Sequence, residues 1–232
     1  MISKKLLVAT RGEIAIRIMR AASELGVATT AIFSDDDSLS LHTRKADEAV
    51  QLAGVGPDAY LDIEQILTLA KAAGCDAIHP GCGLLAESAE FARRCVAGGL
   101  TFVGPRAEIL ELFGDQQQAQ ALATRCGVPT LSDGAVPRRA RRMEVQIAGD
   151  GADVVHLWER ETTFQFHHET IVAIAPSPNL DDATRTRLIN AALLIAREVK
   201  YDCLGSFEFL VIEDDNEGTQ LRVCRRQARG HD

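Results

Sequence analysis

No two of the six cysteines (Cys75, Cys82, Cys95, Cys126, Cys203 and Cys224) stand in a C-x-x-C pair. That spacing argues against a zinc site and, without a secretion signal, against a disulfide framework. They read as reduced, mostly packed thiols. No apolar run is long enough to span a bilayer, and the opening MISKKLLVAT carries one too short for a signal peptide. The expected location is cytoplasmic, with no membrane partner. Excess basic charge is lacking as well: the net charge of −8 disfavours nonspecific attraction to nucleic acid, although the final RVCRRQARGHD is locally basic. Internal repeats and low-complexity tracts are also missing. What remains is a chain of 232 residues, 46% apolar, long enough to bury a core in one or two domains.

A further shortage is of glycine where it would count. ATRGEIA, from Ala9 to Ala15, begins like the strand, turn and helix that hold a dinucleotide, but offers a single glycine, Gly12, where close approach to a pyrophosphate needs more. The acidic run Asp35, Asp36, Asp37 falls where a ribose-binding carboxylate would sit. Without the glycine fingerprint it reads as a solvated turn. HPGCGLLAES does carry two close glycines, which let a loop approach another backbone or a ligand. Cys82 lies between them as a candidate nucleophile, but no sequence feature marks a partner base.

Up to about Asp115, short apolar runs (KLLVA, VATTAIF, DAIHP, TFVGP) alternate with helical stripes such as Ile14, Ile18, Ala21, Ala22, Leu25. Such alternation predicts a parallel sheet with helices on both faces, and Gly26, Gly74 and Gly98-Gly99 fall where helices should stop. The second half predicts antiparallel hairpins. MEVQI and VVHLWE flank AGDGAD; SFEFLVI and TQLRV flank EDDNEG. HHETIVAIAP adds a strand, and Asp181 or Asp182 can cap a helix through LINAALLIAREV. LSDGAVPRRARR is the natural junction between the halves.

Taken in order, RGEIAIRIMRAASELG, SLHTRKADEAVQL, YLDIEQIL, DAIHPGCGLLAESAEFA, TFVGP and FGD leading into CGVP resemble the amino-terminal domain of biotin carboxylase. The resemblance resumes at MEVQIAGDGADVVHLWERETTFQFHHETIVAIAPSPNLDD and runs through YDCLGSFEFLV. It implies an α/β chain: a Rossmann-like pre-ATP-grasp domain with a parallel sheet (1–114), a helix and linker (115–139), and an incomplete ATP-grasp domain with antiparallel strands (140–232). It also implies a parent reaction, the ATP- and bicarbonate-dependent carboxylation of biotin on a carrier protein, with ATP and Mg2+ as cofactors. A biotin carboxyl carrier protein and a carboxyltransferase would be the partners. Arg17, Arg20 and Glu24, spaced three and four apart on one helical face, match positions at the family's homodimer contact.

The same resemblance exposes departures. A whole subdomain with the glycine-rich phosphate lid is missing between CGVPTLSDG and PRRARRMEVQ, and Gln116 stands for a phosphate-binding lysine. Arg142 stands for a histidine. In QFHHET, Gln165 and His168 match nucleotide-binding positions, whereas Thr170 replaces the bicarbonate lysine. Leu210 matches an adenine contact and Glu208 a magnesium ligand, but the partner carboxylate is Arg222. The final CRRQARGH retains Arg226 as catalytic residue, and His231, while the base glutamate becomes Gly230. Three functional readings remain at this level: a biotin carboxylase-family ligase with impaired or lost turnover; a non-catalytic partner or scaffold that pairs, as a homodimer or with an intact paralogue, through its amino-terminal domain; and a truncated product without a selected role.

Overall fold

The computed structural model describes residues 3–83, 85–130, 140–167, 169–214 and 218–223. The chain divides into two compact units at Leu110/Glu111.

The first unit alternates strand and helix: β1 (Lys5–Val8), α1 (Gly12–Glu24), β2 (Ala28–Phe33), β3 (Glu48–Gln51), α2 (Ile63–Ala72), β4 (Ala77–His79), α3 (Ala89–Ala97) and β5 (Thr101–Phe102). The strands form one parallel sheet in the order β3-β2-β1-β4-β5. Burial on both faces explains the near-continuous apolar strands. Leu7, Ile32 and Ile78 belong to one buried cluster with Tyr60, Ile66 and Phe91, and Leu6, Val8 and Ala31 to another with Ala15 and Met19 of α1. Helix stops follow the glycines: Gly26, Gly74 and Gly99 all take positive φ just past α1, α2 and α3. Starts are fixed by Asp62, which accepts from the Gln65 amide, and Ser88, which accepts from that of Phe91. β3 is the strand that apolar patterning missed, because Glu-Ala-Val-Gln sits exposed or half-buried at the sheet edge.

Helix α4 (Ala107–Gly114) spans the division, and the second unit continues with α5 (Gln116–Arg125), capped by Asp115. It then builds an antiparallel sheet from β6 (Ala140–Gly149), β7 (Val154–Phe166), β8 (Glu169–Ile174), β9 (Leu204–Asp214) and β10 (Gly218–Val223), with α6 (Asp182–Glu198) between β8 and β9. The order is β10-β9-β6-β7-β8. Period-two patterning sends Met143, Val145 and Ile147 of β6 and Phe207, Phe209 and Val211 of β9 into the core. α6 packs on β6 and β7 and buries Leu188, Ala192, Ile195 and Ala196. Asp181, rather than Asp182, caps α6 by accepting from the Thr184 amide at 2.8 Å.

Candidate functional site

The first place to look for a ligand in a parallel sheet is the crevice between β1 and β4, where strand order reverses. Here it is filled. A Cβ on Gly81 would lie 2.4 Å from the Thr10 side chain, so the glycine exists to let the turn after β4 close onto the turn after β1. His79 accepts the Gly81 amide on Nδ1 at 3.0 Å, and burial pushes its pKa down to about 4, leaving a neutral imidazole that serves the turn. Cys82, half-buried in the same loop, and the buried Cys75 and Cys95 form no disulfide.

What the RGEIA turn holds is therefore the acidic loop. Arg11 donates to Asp37 at 3.1 Å and lies 5.6 Å over the Tyr60 ring. Asp37 also accepts from the Tyr60 hydroxyl at 2.9 Å and from Ser40 at 2.9 Å. Burial pushes the Asp37 carboxyl upward, but the Arg11, Ser40 and Tyr60 bonds outweigh it and hold the group below the usual carboxylate range. Burial and the bond to Asp37 push Tyr60 up to about 12. Asp35 and Asp36 are exposed, as a solvated turn requires, although Asp36 also accepts from Ser34 Oγ and the Gly56 amide; Asp37 departs from that expectation and turns inward onto this arginine.

On α1, Arg17, Arg20 and Glu24 are all exposed on one face. Arg20 Nε donates to Glu24 Oε1 at 3.2 Å.

In the second unit, β9 carries Glu208 and Leu210. Its register with β6 sets Glu208 opposite Glu144 and Leu210 opposite Arg142. On its other side β10 sets Arg222 opposite Leu210. Arg142 reaches back to Glu208 in an ion pair, the arginine side chain 27% exposed and the glutamate 12%. Beside it, Arg160 of β7 holds Glu144, with Nη2 2.6 Å and Nε 2.9 Å from Oε2. Glu208 thus sits in a ladder of two arginines and two glutamates, its charge already matched. Among the described residues no group of three or more histidine, cysteine, aspartate or glutamate side chains could hold a metal ion. Both carboxylates at this position, Glu208 and Glu144, are already paired with guanidinium groups, those of Arg142 and Arg160, which a Mg2+ ion would have to displace.

Gln165 lies on β7, half-buried and opposite Thr170 of β8; β6 intervenes between its strand and that of Glu208. His168, Arg226, Gly230 and His231 lie outside the described residues. Sequence reasoning also missed a second charged network. Arg141 donates to Glu161 Oε2 at 2.7 Å, Ser177 Oγ at 2.9 Å and the Pro178 carbonyl at 2.6 Å, while Arg185 of α6 donates to the buried Glu159 at 3.1 Å. Arg141 and its hydrogen bonds, more than the cost of burial, hold Glu161 below the usual carboxylate range. The only sequence signal was alternation, Glu159 and Glu161 flanking Arg160, which puts two acids on the core face of β7.

A parallel α/β unit followed by an antiparallel sheet backed by one long helix is the architecture of a pre-ATP-grasp domain joined to part of an ATP-grasp domain. Comparison with known proteins agrees. Residues 2–110 match the family described as biotin carboxylase, N-terminal domain, and residues 99–231 match the carbamoyl-phosphate synthase L chain, ATP binding domain. The chain belongs to the biotin carboxylase family. It is 36% identical to the pyruvate carboxylase of Staphylococcus aureus, over 91% of this chain and 24% of that protein. It is also 36% identical to the biotin carboxylase of Halalkalibacterium halodurans, over 92% of this chain and 62% of the relative. Among solved structures, the biotin carboxylase domain of a single-chain bacterial carboxylase superposes with a TM-score of 0.92 at 41% identity, over 97% of this chain and 62% of that one. The chain therefore spans about a quarter of the pyruvate carboxylase it matches. The match to that protein extends over 281 positions, more than the 232 residues of this chain, so the relative carries residues for which this chain has no counterpart. Among the described residues no helix is long and apolar enough to cross a membrane.

Proposed function

We propose that this chain is a biotin carboxylase-family protein in which the family reaction, ATP- and bicarbonate-dependent carboxylation of biotin on a carrier protein, is impaired because its magnesium–nucleotide site has become an internal ion pair. The observation that supports this reading is the Arg142–Glu208 pair. The one carboxylate that matches a metal ligand spends its charge on a side chain of its own sheet, and a cation entering there must first displace a guanidinium. The matched span that exceeds the chain's length is consistent with loss of the phosphate-covering lid, and Gln116 and Thr170 remove two further positive charges from the anions' side. Among the described residues that match nucleotide-binding positions, Gln165 is half-buried on β7 and Leu210 is fully buried on β9. The test is ATP cleavage with and without bicarbonate and free biotin. No bicarbonate-dependent cleavage is expected; turnover that saturates with bicarbonate would overturn the reading.

A second reading is favoured by α1. Arg17, Arg20 and Glu24 leave a charged face open, where a non-catalytic chain would pair with itself or with an intact carboxylase subunit serving the carrier and carboxyltransferase. Glu24→Lys should then weaken that association. An unchanged affinity would remove α1 from consideration.

A further inference from the structure

The charged ladder of the second unit is built around an unfavourable pairing. Glu144 of β6 and Glu208 of β9 stand directly opposite each other in the antiparallel register, which sets their Cβ atoms about 5 Å apart on one face of the sheet. Like charges so placed repel, and both side chains are only 12% exposed, so water screens them poorly. Two arginines offset the repulsion. Arg160 stands opposite Glu144 on β7, and both of its bonds to that residue fall on Oε2, leaving Oε1 without a hydrogen bond among the described residues. Arg142, two places before Glu144 on β6 and so on the same face, crosses diagonally to Glu208.

We infer that Arg142 is the specificity-determining residue of this face: its guanidinium takes the place of a divalent cation at the Glu144–Glu208 pair, and removing it turns that pair into a divalent-cation site. This rests on the proposed closure of the site to magnesium, and adds the residue that closes it and a second carboxylate. Two facing carboxylates are what a hard divalent ion asks of a protein when water fills its other positions. With Arg142 present, two cations balance two anions, and an incoming metal ion meets no excess of negative charge. With a neutral residue at 142, two glutamates face one arginine, and Glu208 is left uncompensated in a half-dry position. Arg160 does not close the site in the same way, because it holds Glu144 through one oxygen and leaves Oε1 for a metal ion.

The experiment is calorimetric titration of the whole chain with Mn2+, an ion that favours oxygen ligands, in the wild type and in Arg142→Gln, Arg142→Lys and Arg142→Gln/Glu208→Gln. The wild type is expected to show no saturable binding at millimolar Mn2+. Arg142→Gln should bind one ion at least about tenfold more tightly than the wild type, the double variant should lose that gain, and Arg142→Lys, which keeps the charge, should behave as the wild type. A folded Arg142→Gln that binds Mn2+ no better than the wild type overturns the inference and leaves the closure of the wild-type site standing. A wild type that binds one Mn2+ and loses it in Glu208→Gln overturns both. A gain that survives in the double variant places the ion elsewhere and also overturns the inference. Thermal melts cover the case of an unstable variant: the Arg142→Gln midpoint should rise with Mn2+ dose while that of the wild type does not. A variant with no cooperative melt at any Mn2+ concentration counts against the site, since a bound cation would restore the missing charge.

Discussion

Arg142 and Glu208 form a pair in which neither member is fully in water, and removing one partner from such a pair leaves an uncompensated charge. Arg142→Ala should therefore cost about 3 kcal/mol, read as a lower urea midpoint with unchanged m-value. The double variant with Glu208→Gln should recover most of the loss; equal loss in the single and double variants would mean that the ion pair contributes nothing. Gly81 offers a second residue-scale test. Gly81→Ala places a Cβ against Thr10 at 2.4 Å in a positive-φ turn, and a loss of more than about 2 kcal/mol is expected. His79 supplies the pH dependence. Its folded pKa of about 4 lies below the ordinary histidine value of 6.5, so the unfolded chain binds the extra proton first. Stability should fall as pH drops from about 6.5 towards 4 and be unaffected above that window. His79→Asn, which keeps an acceptor for the Gly81 amide, should flatten that fall; an unchanged slope would assign it to other groups. Sequence alone could not have paired Arg142 with Glu208, since they are 66 residues apart and meet only through the β6–β9 register.

At the scale of elements, helix ends and hairpins were the legible part. Glycines past α1, α2 and α3 and the Asp181 cap are local signals, acting within one turn of the chain. Asp181→Ala should cost about 1 kcal/mol, measurable as a modest drop in melting temperature; no drop would mean that the end of α6 is held by the Arg185 network instead. The length of β7 was not legible. The apolar run ends near Trp158, yet the strand continues to Phe166, because Glu159 and Glu161 are drawn into the core face by Arg185 and Arg141. A charged residue on a core face contradicts simple alternation, and only its long-range partners resolve the contradiction.

At the scale of the whole molecule, family membership rests on motifs spread along nearly all of the chain, which is why it is readable in the sequence. Whether the family's chemistry survives was not readable in the same way, because it depends on what each retained ligand now touches. The proposed loss of the magnesium–nucleotide site at Glu208 can be tested by ligand binding. A ligand that binds the folded state must raise its melting temperature in proportion to RT ln(1 + [L]/Kd). The decisive measurement is thus the melting temperature of the purified chain with and without millimolar Mg-ATP. A cooperative melt that does not move with Mg-ATP is predicted, and a dose-dependent rise would contradict the account.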